Sequence, residues 1–292
     1  MAPRLIHLRW AADCVVCAAH IDPGADGWWD ATAKATTCEA CHGGDPSPEA
    51  VRPALEKGVA GGSARREYGR RAARELARQE KAVLVDAERR RRDKEARPLL
   101  GRLASALTPR PVLGVESQST RAWAVGAAGE ERVAEVLDAA EGVHPLHDLG
   151  IPGSRANVDH VAVGPSGIFV IDAKKYSGAV QKRDVGGWFR TDERLYVNGR
   201  NRTNLVVAMQ GQVEEIRRAV GDRARVPIIP VLCFVAAEWP LRFRPLRVGG
   251  VTVTRPQALV GLITSAGPLT EEDAARLADV IGRALPAATL RP

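Results

Sequence analysis

The chain has 292 residues, 45% of them hydrophobic and 26% charged, with a formal net charge of +7. That length gives one large domain or two smaller ones with a core of ordinary size, which excludes a wholly disordered chain. No apolar run approaches the ~20 residues needed to span a bilayer. The longest such stretch, 226–237, is short and holds two prolines. Residues 1–10 carry no apolar signal-peptide segment, so a cytoplasmic protein is expected.

The first segment, 1–46, holds four of the five cysteines, and a Gly/Pro-rich stretch from Gly43 to Pro48 closes it. Cys14-x-x-Cys17 and Cys38-x-x-Cys41 are separated by 20 residues. Two C-x-x-C pairs at such a distance match the zinc-ribbon pattern, in which four thiolates close a tetrahedral shell around a structural ion. A segment this small has too little core to fold alone, and metal binding offsets the deficit. Other readings remain. Cys38-Glu-Ala-Cys41-His42 also matches a c-type haem attachment, which requires export and leaves Cys14 and Cys17 unused. A thioredoxin-like motif needs a βαβ setting that is missing here. His20 or His42 could replace one thiolate. Cys233 lies in an apolar run and reads as core.

From Ala64 to Arg102 the sequence holds 14 Lys/Arg against 7 Asp/Glu, an excess equal to that of the whole chain. The basicity therefore belongs to one segment, which suggests a polyanionic partner or a solvated basic helix. Its Arg, Glu and Ala content favours helix up to about Arg97, and its apolar residues are too sparse for a coiled-coil seam. Residues 98–114 read as a hinge, and 61–115 as a basic helical linker.

An α/β pattern begins near Ser117. A helix is expected over about 120–140, strands over 158–163 and 167–174, a polar turn-rich section up to Arg202, and a helix over 205–220. An apolar run at 227–235, a strand at 251–254 and helices over 256–263 and 270–284 complete the pattern.

Gly164-Pro165-Ser166-Gly167 reads as a turn. If a two-residue loop joins the flanking strands as a hairpin, Gly164 faces Gly167, and counting back places Asp159 opposite Asp172. Their Cβ atoms would then lie ~5 Å apart, with Lys174 on the same face. Two facing acids repel each other, so a cation is expected between them, and Mg²⁺ suits carboxylate ligands. The alternative is that Lys174 neutralises one acid while the other reaches solvent. Glu130 falls on the apolar stripe of the first helix with Val133 and Leu137, and Gln212 on that of the later helix with Met209 and Ile216.

Gly126-x-x-Gly129-Glu130, Val158-Asp159-His160-Val161 and Gly167-Ile-Phe-Val-Ile-Asp172-Ala-Lys174, with the later Gln212, together resemble the nuclease-related domain. That domain is a branch of the PD-(D/E)xK nuclease-like superfamily. The resemblance implies a restriction-endonuclease-like fold over 117–292, with a core of about 121–236: a mixed central sheet flanked by helices, here preceded by a zinc ribbon and a basic helix. It implies a nuclease in which Asp159 and Asp172 bind Mg or Mn and Lys174 assists the attacking water. Glu130 supports the metal and Gln212 fills a helical Gln position, although the spacing around Gln212 departs from the usual form. The expected partner is nucleic acid, DNA ahead of RNA, with Arg183, Arg190, Arg194, Arg200 and Arg202 as possible backbone contacts and Trp188 and Phe189 as possible stacking residues. Two other classes compete: a non-catalytic nucleic-acid-binding or scaffolding protein, and a zinc-stabilised protein-interaction module.

Overall fold

A computed structural model describes residues 3–15, 20–31, 35–42, 58–96, 107–154, 156–187, 190–221 and 226–288. The chain separates into two compact units, Met1–Leu55 and Glu56–Pro292.

The first unit is built from short pieces. They are β1 (Arg4–His7), β2 (Ala12–Asp13), β3 (His20–Ile21), β4 (Asp26–Asp30), β5 (Ala35–Thr37) and a single turn, α1 (Glu39–His42). β1, β4 and β5 form one antiparallel sheet, and β2 pairs with β3. Leu8, Cys14 and Ile21 are its buried apolar centre, flanked by Ile6, Ala12, Ala25, Cys38 and Cys41. Among the described residues this centre is small, and a core of three side chains does not by itself offset the conformational entropy of ordering a segment.

The second unit opens with α2 (Gly62–Ala96), whose 35 residues extend over ~52 Å. α3 (Gln118–Asp138) follows, with the Ser117 hydroxyl accepting from the Thr120 backbone N–H at its N-terminus. Three strands come next: β6 (His144–Gly150), β7 (Asn157–Gly164) and β8 (Gly167–Lys174). After them come β9 (Gly178–Asp184), β10 (Glu193–Val197), β11 (Arg200–Asn201) and α4 (Thr203–Val220). The chain then forms β12 (Ile228–Phe234), β13 (Ala237–Glu238), β14 (Leu246–Val248), β15 (Val251–Thr254), α5 (Pro256–Ile263) and α6 (Glu271–Ala284).

The central sheet has the order β14-β15-β12-β8-β7-β6. β12 runs parallel to both β8 and β15, and the other neighbours are antiparallel, so the sheet is mixed. Period-two alternation divides β8 between the two faces. Phe169, Ile171 and Ala173 pack with Val133 and Leu137 of α3 and with Leu259 and Ile263 of α5. On the other face α4 packs on β12 and β8, and α6 covers β6 and β7. This is the mixed α/β architecture expected, with helices on both faces. Cys233 lies at the centre of the sheet, fully buried, and burial pushes its thiol far above the usual range.

The section expected to be polar and turn-rich holds a second sheet, in the order β11-β10-β9-β13. β9 is almost wholly exposed beyond Val180, so its side chains carry no apolar signal although its backbone pairs. β6 also carried no strand signal, because it has polar residues and Pro145. It is the edge strand of the central sheet, where a missing N–H is tolerated.

Candidate active site and metal centre

The β7–β8 hairpin has the register that its turn implies. Gly164 faces Gly167 and His160 faces Ile171. Beyond His160 the backbone ladder stops, and the half-buried Asp159 side chain takes over by accepting from the Ala173 N–H at 3.0 Å. Asp172 is buried and accepts a charge-assisted hydrogen bond from the Lys174 ammonium. The two acids and the lysine are therefore grouped at one end of the hairpin.

Glu130 reaches the same place from α3. It is buried, and its carboxylate accepts from the Gly61 N–H at 3.2 Å. The helix can approach because Gly129 has no side chain; a Cβ there would lie 3.3 Å from the Cβ of Lys175.

Asp148 is a fourth acid, and no local sequence pattern marks it. It lies on β6 between His147, which faces His160, and Leu149, which faces Val158. Its φ of 49° puts it in the left-handed region, and the pairing with β7 is interrupted there, where Asp159 stands opposite. Asp148 is fully buried and accepts from the Ser63 N–H at 2.8 Å, from the Ser63 hydroxyl, and from Asn157 Nδ2 at 2.8 Å. The first turn of α2 is thereby fastened to the strand that carries the site.

The acids raise one another's affinity for protons. Burial, then Asp148, pushes the Glu130 carboxyl up to about 7, although the Gly61 N–H and Lys174 pull the other way. Asp159 is held well above the carboxylate range by burial, then by Asp172 and Glu130. Burial alone would lower the Lys174 ammonium, but Asp172 and Asp159 outweigh it and hold it above its usual value. Two cations accompany the four acids: Lys174 is paired with Asp172, and Arg66 lies 3.8 Å from Asp148. The donor set is thus all oxygen and carries an excess of negative charge, which fits a hard divalent cation.

Glu130, Asp159 and Lys174 border a cleft of roughly 570 Å³, and Asp148 and Asp172 are not among its lining residues. Glu130, Asp159, Lys174 and Asn157 line one side, and Ser63, Gln118, Arg121 and Tyr176 lie around it. Gln212 is not among the lining residues. It is half-buried on α4, and its Oε1 is shielded from solvent with no hydrogen-bond partner among the described residues.

The candidate backbone arginines are dispersed. Arg183 lies 4.4 Å over the Tyr196 ring, Arg194 is bound to Asp192, and Arg190 and Arg200 are exposed. Arg202 comes nearest the cleft, 4.9 Å over the ring of Tyr176. Trp188 and Phe189 lie outside the described residues.

In the first unit, the sulfurs of Cys14, Cys38 and Cys41 all lie within 4.8 Å of one another. The Cys38 N–H donates to Cys14 Sγ at 3.3 Å. Zn–S bonds of ~2.3 Å place tetrahedral sulfurs at such separations, so the cluster fits zinc. Cys17, the expected fourth ligand, lies outside the described residues. The His42 ring is stacked on Trp28 with centroids 3.6 Å apart, and it is not part of the cluster.

Residues 125–235 match the family model of the nuclease-related domain. No curated protein and no solved structure matches the chain. The matched stretch contains Glu130, Asp148, Asp159, Asp172, Lys174 and Gln212. It begins after α2, so Gly61 and Ser63 lie outside it. Among the described residues no helix is long and apolar enough to cross a membrane.

Proposed function

We propose that the second unit is a metal-dependent nuclease that hydrolyses phosphodiester bonds in nucleic acid, with DNA the favoured substrate. The observation that carries this reading is the grouping of Glu130, Asp159 and Asp172 with Lys174, with Asp148 beside Glu130, within a stretch that matches a nuclease-related domain. A binding-only domain gains nothing from carboxylates that repel one another.

In this reading Asp159 and Asp172 hold a Mg or Mn ion, with Glu130 in support from α3. The ion supplies Lewis acidity toward a phosphate oxygen and lowers the pKa of a bound water. Asp172 also holds the Lys174 ammonium, and Asp159 is fixed by the Ala173 N–H, so both acids are oriented before substrate arrives. Lys174 stays protonated near neutrality, so it donates to the attacking water or to developing negative charge and does not remove a proton. Gln212 fills the helical Gln position on α4, where its buried Oε1 has no hydrogen-bond partner among the described residues. In the first unit the cysteines hold zinc in a structural role, since a full set of thiolates leaves no open position for chemistry.

The test is cleavage of linear and circular, single- and double-stranded DNA and RNA with Mg²⁺ or Mn²⁺. Cutting that requires the metal and falls by at least about 100-fold in Asp172→Ala is expected. A folded, zinc-loaded wild type that binds these substrates but cuts none would overturn the catalytic reading in favour of a non-catalytic binder.

A further inference from the structure

The basic segment is not used by the chemistry above, yet the fold ties it to the site. α2 starts at the cleft, where Gly61 donates to Glu130 and Ser63 donates to Asp148. It then runs antiparallel to α3. Arg71 lies 5.2 Å from the Trp123 ring centroid, Glu75 accepts from Ser117 and Thr120, and Gln79 donates to Val115 O and accepts from the Gly114 N–H. These contacts fix which side of α2 is docked.

The other side is cationic. Arg66, Arg70, Arg74 and Arg78 follow one another at four-residue steps, Lys81 continues the row, and all five are exposed. Residues at that spacing share one helix face at ~6 Å intervals. Arg66 lies 3.8 Å from Asp148 and Arg70 is paired with Glu67, whereas Arg74, Arg78 and Lys81 form no ion pair among the described residues. The side chain of Arg121, at the rim of the cleft, is 68% exposed and adds to the positive border. The only aromatic side chain of α2, Tyr68, is drawn toward Glu116 on the docked side. The row therefore has no stacking platform of the kind that single strands need, and it suits a charged backbone read without regard to sequence.

We propose that this face of α2 is a track for the phosphate backbone of double-stranded nucleic acid, leading the duplex into the cleft. The proposal rests on the nuclease reading for what happens at the cleft, but the track is tested by binding alone. From Ser63 to Lys81 the helix advances ~27 Å, the length of about eight base pairs.

The experiment uses the full chain without divalent metal and follows the fluorescence anisotropy of labelled DNA duplexes over a range of salt concentrations. Arg74→Ala/Arg78→Ala/Lys81→Ala should weaken binding of a 30-base-pair duplex by about 10- to 100-fold at low salt. It should also reduce the slope of log K against log salt by roughly 2.7, the value for three lost phosphate contacts. Wild-type affinity should climb as the duplex lengthens through about eight base pairs, and the triple variant should lack that step. A charge-keeping variant, Arg74→Lys/Arg78→Lys, should keep the slope. Arg217→Ala/Arg218→Ala/Arg276→Ala removes the same charge from other helices and should leave the slope unchanged. An equal-length RNA duplex bound with the same loss in the triple variant identifies the contact as a backbone contact common to both acids. An unchanged slope in the triple variant, or tighter binding of a 30-nucleotide single strand than of the duplex, overturns the track. A wild type that shows the track and loses it in the triple variant, but never cuts, overturns the nuclease reading and leaves the track standing.

Discussion

Glu130 shows how a single carboxylate can report on the site. Its pKa of about 7 against a usual 4.5 means that the folded protein prefers it protonated. The stability it contributes is therefore complete below pH 4.5 and is lost as pH rises through about 7, a cost on the order of 3 kcal/mol. A cation among the acids should cancel that cost. Saturating Mg²⁺ or Mn²⁺ is expected to raise the thermal midpoint by several degrees at pH 8 and hardly at all at pH 5, with Glu130→Gln weakening the difference. Equal gains at both pH values would mean that the ion binds elsewhere. Asp148 makes a different prediction. Asp148→Ala leaves the Ser63 N–H and hydroxyl without their acceptor and Asn157 Nδ2 with the Ser63 hydroxyl alone. Chemical denaturation should show a loss of about 3 kcal/mol, and Asp148→Asn, which tolerates a positive φ and keeps one acceptor, should lose less. The sequence pointed to Asp159, Asp172, Glu130 and Lys174, because a turn fixes hairpin register and an apolar stripe exposes a misplaced acid. Asp148 was not legible. Its role arises from a left-handed residue in an edge strand and from a donor 85 positions away, and neither has a local signature.

Among the elements, α2 was legible as a helix and not as a wall of the site. Composition predicts helix from charge-rich, Gly- and Pro-poor sequence, but docking depends on a few polar contacts spread over its length. Glu75 is the clearest. Hydrogen bonds from Ser117 and Thr120 hold its carboxyl down to about 2, and they tie α2 to the residues that begin α3. An acid with a depressed pKa contributes above its unfolded value and loses that contribution as pH falls through the folded one. Glu75→Ala should therefore speed amide hydrogen exchange in the middle of α2 at pH 7, and the difference from wild type should fade as the pH falls toward 2. Exchange rates that match at neutral pH would show that the cap does not hold the helices together. Gly61 is the second contact. Its φ of 70° suits glycine, and a Cβ would lie 2.9 Å from the Ala127 carbonyl oxygen. Gly61→Ala should cost about 1–2 kcal/mol and shift the N–H that Glu130 uses. β9 and β11 show the reverse case, in which backbone pairing adds strands whose mostly exposed side chains leave the apolar pattern blank.

At the scale of the whole molecule the two units are stabilised by different means, and this gives a sharp expectation. The second unit has a continuous core running from Val133 through Phe169 and Ile171 to Leu259 and Ile263, so it needs no metal to fold. Among the described residues, the buried apolar centre of the first is Leu8, Cys14 and Ile21, so a candidate metal ligand is part of it. Its folding should follow zinc occupancy, as in other small domains closed by thiolates. Purified protein should contain about one zinc per chain by plasma mass spectrometry. A strong chelator, or Cys14→Ser with Cys41→Ser, should remove the ion and abolish the stacking signature of Trp28 on His42 in near-ultraviolet circular dichroism. The far-ultraviolet helix signal should persist, because α2 to α6 all lie in the second unit. Loss of that helix signal together with the zinc would show that the second unit depends on the ion, contrary to the independence that its core implies.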